Sequence, residues 1–216
     1  MKNLKITAVM QTGQVSTIDG YLPLDSILAY AWMQENHPDL LYNQDPKMGI
    51  IEPVLPLEKR EGYWACSFAE FECTKEEVAY WHRRTDSDAV GTYVDFGNRR
   101  GKINTTAGTY KAYRMPIVSK IIPEIYWYAV GEKVKIEQLL CRITHIGKKR
   151  SQGKGAVTEW IVQEIGEDYS EARNGLVTRA VPFDYAQSKN YTGYARMHCI
   201  APPYWDATRR ELCLVP

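Results

Sequence analysis

The chain has 216 residues, of which 44% are apolar and 25% charged, the proportions of a globular protein with a real core. No apolar run approaches the roughly 20 residues that a membrane span needs, and the opening Met1-Lys2-Asn3-Leu4-Lys5-Ile6 lacks the layout of a secretion signal. A net charge of +1 argues against a protein that coats duplex nucleic acid over its whole surface.

The charge is unevenly spread. Residues 1–73 carry five bases and ten acids, residues 74–120 nine bases and five acids, and residues 140–155 five bases and no acid. That pattern fits a localised basic groove. The five cysteines, Cys66, Cys73, Cys141, Cys199 and Cys213, are scattered and form no CxxC pair. They speak against a zinc ribbon or a disulfide scaffold and fit a reducing cytoplasm.

In chain order, Leu4, Ile6, Ala8 and Met10 alternate with other residues as in a half-buried strand. Residues 13–20 read as a polar loop. Asp25 is the expected N-cap of a helix running through Asn36, with Ile27, Leu28, Ala31 and Trp32 on its buried stripe and His37-Pro38 as its stop. Residues 39–62 read as an irregular connection and residues 63–73 as a second strand. Thr74 with Glu77 has capping-box spacing and predicts a short helix through Arg83. Residues 86–120 alternate glycine, threonine and tyrosine with bases, as in a hairpin or extended arm. An aromatic strand follows over residues 123–130. It leads to an amphipathic helix with Ile136, Leu139, Leu140 and Ile143 at i, i+3, i+4 and i+7. A last strand spans residues 156–165, and residues 166–216 read as a turn-rich β extension punctuated by Pro182, Pro202 and Pro203.

This order of elements predicts an α+β fold with a split βαβ, ferredoxin-like (RRM-like) βαββαβ core. The core comprises residues 4–73 and 121–165. A β-hairpin or helical thumb is inserted at residues 74–120, and the β extension occupies residues 166–216. All belong to one domain, residues 1–216.

The connection between the second helix and the last strand is Gly147-Lys148-Lys149-Arg150-Ser151-Gln152-Gly153-Lys154-Gly155. It is not a Walker A loop: five residues rather than four precede its Gly-Lys, Gly155 follows where Ser or Thr is required, and it joins helix to strand. Its glycines permit close backbone approach, and its cations supply donors and charge for phosphate. Such a loop reads as one that tracks a nucleic-acid backbone, where the N–H groups of Gly153 and Gly155 could approach phosphates; the alternative is a solvated connection.

The arm supplies further candidates. Arg83, Arg84, Arg99, Arg100, Lys102, Lys111 and Arg114 are interleaved with Tyr93, Phe96, Tyr110 and Tyr113. Cations can follow a backbone there while aromatics stack on bases, above all at Arg99-Arg100-Gly101-Lys102; the alternative is that the tyrosines pack the arm's own hairpin and the cations are solvated. Trp127 alternates with Tyr126 and Tyr128, so a stacking platform on the sheet competes with plain core packing. His145, beside the basic loop, and His82, beside Arg83, are the two candidates for a general base in metal-independent RNA cleavage. His37 and His198 read as structural. Asp86 and Asp88 lack the partners of a metal site. Trp205, Arg209 and Arg210 could serve RNA or a neighbouring subunit.

With residues 22–30 (Leu-Pro-Leu-Asp-Ser-Ile-Leu-Ala-Tyr) and residues 143–155 (Ile-Thr-His-Ile-Gly-Lys-Lys-Arg-Ser-Gln-Gly-Lys-Gly), the layout resembles the RAMP superfamily of CRISPR effector subunits. It looks most like the subunit of type IV systems that caps the 5′ handle of the guide RNA. The resemblance covers roughly residues 4–165 and implies a non-catalytic, RNA-binding role beside a large subunit and a backbone subunit. Target DNA would be reached through base pairing by the guide. It implies bound crRNA, no metal, no other cofactor and no membrane contact. Some relatives cut precursor RNA, so an endoribonuclease using His145 or His82 is the alternative, and a repeating backbone subunit is another.

Overall fold

A computed structural model of the chain describes residues 1–16, 21–41, 51–93, 95 and 104–216. The first strand is β1 (Lys2–Met10), in which Leu4, Ile6 and Ala8 are fully buried and Met10 nearly so, as the alternation predicts. It is followed by β2 (Gln14–Val15) and α1 (Leu24–Asn36). The N-cap of α1 is Pro23, not Asp25. Asp25 lies inside the first turn, fully buried, and faces a partner far along the chain.

Next come β3 (Lys59–Arg60), β4 (Tyr63–Trp64) and β5 (Glu70–Phe71), where the sequence predicts one continuous strand over residues 63–73. Between β4 and β5 the chain dips inward. Ala65, Cys66, Ser67 and Phe68 are all buried, and Ser67 Oγ accepts the N–H of Tyr128 at 2.9 Å.

The helix expected from Thr74 is instead the long strand β6 (Lys75–Arg83). After it stand α2 (Ser87–Tyr93) and β7 (Tyr113–Ile121), which pairs antiparallel with β6 from Lys75 opposite Ile121 to Arg83 opposite Tyr113. The Thr74 hydroxyl donates to the Ile121 carbonyl at 3.0 Å rather than capping a helix. Val78, Tyr80 and Trp81 favour a pleated surface, and Glu76 meets Lys120 across the ladder, so cross-strand pairing outweighs the local capping pattern.

The chain continues through β8 (Glu124–Gly131), α3 (Lys133–Leu140) and β9 (Val157–Glu164), as the sequence predicts. The remainder is β10 (Ala172–Arg173), β11 (Leu176–Val177), β12 (Val181–Pro182), α4 (Phe183–Ser188), β13 (Tyr194–His198) and β14 (Glu211–Val215).

The architecture is mixed α/β with several antiparallel sheets and few helices. Among the described residues the main sheet has the order β5-β8-β1-β9, with β1 flanked antiparallel by β8 and β9. One face of this sheet and the inner sides of α1 and α3 form the principal core, which includes Leu4, Ile6, Leu28, Trp127, Ile136 and Leu140. The Trp127 indole N–H donates to the Leu22 carbonyl at 2.7 Å, so this aromatic is a core residue. Tyr126 and Tyr128 lie on the other face. Lys5 sits over the Tyr126 ring at 4.7 Å, and Tyr169 packs edge-on against Tyr128, so the stacking-platform reading gives way to packing. A second sheet, β2-β7-β6, carries the arm, and a third, β12-β14-β13, carries the C-terminal residues.

Candidate nucleic-acid interface

The basic loop is built by backbone bonds before any side chain acts. The N–H of Ile146 donates to the Gly155 carbonyl at 2.9 Å, closing the base of the loop. Lys148 N–H donates to Ser16 O at 2.9 Å and Gly155 N–H to Gln14 O at 2.7 Å, so both arms of the loop are fastened to the segment around β2. β2 pairs with the foot of β7, Gln14 opposite Ile121 and Val15 opposite Lys120. Loop and hairpin therefore share one hydrogen-bonded ribbon.

The crest is a 3-10 turn over Arg150–Gln152, entered through Lys149 at φ 61° and left through Gly153 at φ 75°. Gly153 N–H donates to Arg150 O at 2.9 Å. The N–H groups of Gly153 and Gly155 are thus both engaged within the chain, and the expected backbone approach to phosphate at these two positions is corrected. The loop's open donors are therefore on its side chains. Lys148, Arg150, Ser151 and Gln152 are exposed, while Lys149 and Lys154 are half-buried against the hairpin.

Side chains join the loop to one face of the hairpin. Strand alternation puts Glu77, Trp81, Ser119 and Met115 on that face. Lys149 Nζ lies 4.6 Å from the Trp81 ring centroid, a cation–π contact of about 0.5–1 kcal/mol at a site this exposed. Lys154 Nζ donates to Ser119 Oγ. The Glu77 carboxyl is held below its ordinary value by a hydrogen bond from Lys75 and its charge, with Lys154 adding to the effect. On the opposite side of the loop, the Arg150 guanidinium lies 5.2 Å from the Tyr30 ring on α1.

Farther along the hairpin, the Trp81 indole donates to Tyr113 Oη at 3.1 Å, and the Arg114 guanidinium stacks over Tyr80 at 3.8 Å. Tyr80, His82, Arg83, Arg84, Tyr113 and Arg114 line an open cavity there. Tyr110 is half-buried, with its carbonyl accepting from the Thr85 hydroxyl at 2.7 Å, and Lys111 is exposed. Arg99, Arg100 and Lys102, with Phe96, lie outside the described residues.

Sequence reasoning missed Trp81 and Tyr30, the two rings that seat the loop's cations. Trp81 is the clearer case: it falls within the stretch read as a helix, where it would have no fixed relation to residue 149.

The Nδ1 of His145 lies 3.0 Å from the Thr144 hydroxyl, and the residue bridges to Ala156 at the loop base. His82 is exposed on the hairpin, opposite Arg114. No hydrogen bond joins either histidine to a carboxylate or a second histidine among the described residues. Asp86 caps α2, accepting the N–H groups of Asp88 and Ala89. Among the described residues no cluster of His, Cys, Asp and Glu is placed to hold a metal ion, and no helix is long and apolar enough to cross a membrane.

The surface that results is a basic loop seated on an aromatic hairpin, with cations paired to rings more often than to acids. No curated protein matches the chain. The family model described as CRISPR type IV associated protein Csf3 matches residues 2–216, and the chain belongs to that family.

Proposed function

We propose that the chain is a non-catalytic RNA-binding subunit that caps the 5′ handle of the guide crRNA in a type IV CRISPR ribonucleoprotein. It does so as a single RAMP domain in the cytoplasm. Membership of the type IV family supports work beside other subunits of such a complex. The sheet order β5-β8-β1-β9, with β1 flanked antiparallel and α1 and α3 packed on one face, supports a ferredoxin-like βαββαβ core.

The observation that carries the reading is the seating of residues 147–155 on the hairpin through Lys149 on Trp81 and Lys154 on Ser119. A charged loop held in this way is pre-organised. Lys148 is exposed, and Arg150 stays exposed while stacked on Tyr30, so both can meet phosphates. The other face of the hairpin offers Tyr80 and Arg114 to bases. Preorganisation lowers the ordering cost of binding. The large and backbone subunits, and target DNA reached through the guide, are the further partners of this reading.

The test is to express the chain with its genomic neighbours, purify it, and map both ends of any co-purifying RNA. Short RNAs with one shared 5′ end, lost in Lys148→Ala/Lys149→Ala/Arg150→Ala, are the expected result. RNA retained by that variant with normal affinity overturns the role of the loop. His145→Ala and His82→Ala are expected to leave RNA ends unchanged, and accumulation of unprocessed precursor would instead assign an endoribonuclease. More than one copy per complex would assign a backbone subunit.

A further inference from the structure

A second cavity lies away from the basic loop, between the start of α1, the buried turn after β4 and the β13–β14 pair. Tyr21, Phe68 and His198 form its aromatic wall, with ring centroids 5.0 Å apart for Tyr21–Phe68, 5.8 Å for Tyr21–His198 and 5.7 Å for Phe68–His198. Arg196 and Arg210 line its rim and are exposed, and neither makes an ion pair among the described residues. The carboxylates nearby form no ion pair with them among the described residues: Asp25 is buried against Arg179 and Tyr204, and Glu211, although it shares a face of the strand pair with His198, bridges to neither arginine.

Rings lining one cavity with unpaired guanidinium groups match a nucleotide, which offers a π-face beside a phosphate. The cavity is also in line with the loop. Ser26 lines it, and Tyr30, which carries Arg150, lies one turn on along the same face of α1, about 6 Å farther on along the helix axis. One strand can touch both places.

We propose that this cavity, formed largely by the C-terminal extension, takes one unpaired nucleotide of the same RNA strand that crosses the basic loop. The base packs against Tyr21 and His198, and Arg196 and Arg210 hold its flanking phosphates. The proposal rests on the RNA-binding reading above and extends it to residues 194–210.

The test uses the purified full-length chain with a fluorescein-labelled, mixed-sequence 4-thiouridine single-stranded RNA of roughly 16 nucleotides, within the site sizes of single-strand binders. Affinity is measured across a salt series for the wild type, for Arg196→Ala/Arg210→Ala, for Arg196→Lys/Arg210→Lys and for the triple loop variant. The alanine pair is expected to lose about tenfold in affinity and to flatten the salt slope by about 1.4, the effect of two lost phosphate contacts. The lysine pair keeps the slope. Cross-links to peptides containing Tyr21 or His198 are expected on irradiation. Unchanged thermal unfolding of the alanine pair confirms that its surface substitutions leave the fold intact.

If the alanine pair binds like wild type while the loop variant loses affinity, the cavity proposal is overturned and the loop reading stands. The reverse pattern supports the cavity as an RNA site but overturns the loop reading and with it the shared path of one strand across both. Absence of RNA binding by the wild type overturns both. Wild-type RNA affinity in the alanine pair, together with loss of a co-purifying subunit, also overturns the proposal and assigns the rim to a protein contact.

Discussion

A side chain at position 155 has nowhere to go. Gly155 has φ +74°, and a Cβ built there would lie 1.8 Å from the Ile146 carbonyl oxygen, beside the Ile146–Gly155 hydrogen bond that closes the loop. Gly153, at φ +75°, has open space around its would-be Cβ. The two glycines look alike in the sequence, and both were expected to admit a phosphate. The structure separates them, because one admits the chain's own backbone and the other only a turn. Gly153→Ala is expected to cost about 1–2 kcal/mol, the left-handed penalty for an L residue. Gly155→Ala adds a backbone clash and is expected to cost more than twice as much. Urea unfolding of both variants measures the difference, and equal costs would refute the close approach. Such a distinction is illegible in sequence because it depends on where residue 146 runs relative to residue 155.

At the scale of elements, what was legible is what is local. The alternation of Leu4, Ile6, Ala8 and Met10 and the helical spacing of Ile136, Leu139 and Leu140 each belong to a single segment, and β1 and α3 form where they predict. The pattern at Thr74 and Glu77 is local too, yet its segment forms β6, because its partner β7 lies beyond an insertion that sequence periodicity does not bridge. The same misreading hid the seat of the basic loop. Seated in this way, Lys149 and Trp81 are expected to be energetically coupled. A double-mutant cycle of Lys149→Ala and Trp81→Ala, followed by urea unfolding, is expected to give a coupling of about 0.5–1 kcal/mol. Additive effects would show that the loop and hairpin stand independently. Trp81→Ala alone is also expected to weaken RNA binding, because it releases the loop cation and the Tyr113 hydroxyl together.

For the whole molecule, the C-terminal residues are part of the core's electrostatics. Arg179 is fully buried, with its guanidinium donating to the carbonyls of Trp64, Cys66 and Ile200 and packed over the Tyr63 ring at 4.5 Å. Its charge faces Asp25 at 3.8 Å, and Asp25 accepts the Tyr204 hydroxyl at 2.9 Å across 179 residues of chain. Burial pushes the Asp25 carboxyl upward, against the Arg179 charge and the Tyr204 hydroxyl. An Asp just before an apolar helical run reads as a cap, and only the distant arginine turns it into half of a buried pair. Phe68, from the turn after β4, likewise packs on Ala180, Cys213 and Val215. A chain ending at residue 165 would strip Arg179 and Tyr204 from Asp25 and expose Phe68. Breaking a buried pair by removing one partner costs about 3–5 kcal/mol, a large part of the roughly 5–15 kcal/mol by which a domain is stable. The truncated chain is therefore expected to lose its cooperative thermal transition, as followed by circular dichroism. Asp25→Ala in the full chain, which leaves Arg179 buried without its carboxylate, is expected to lower the transition without abolishing it. A truncated chain that melts cooperatively near the full-length temperature would show that residues 166–216 form a separate unit, and the buried pair would then be incidental to the fold.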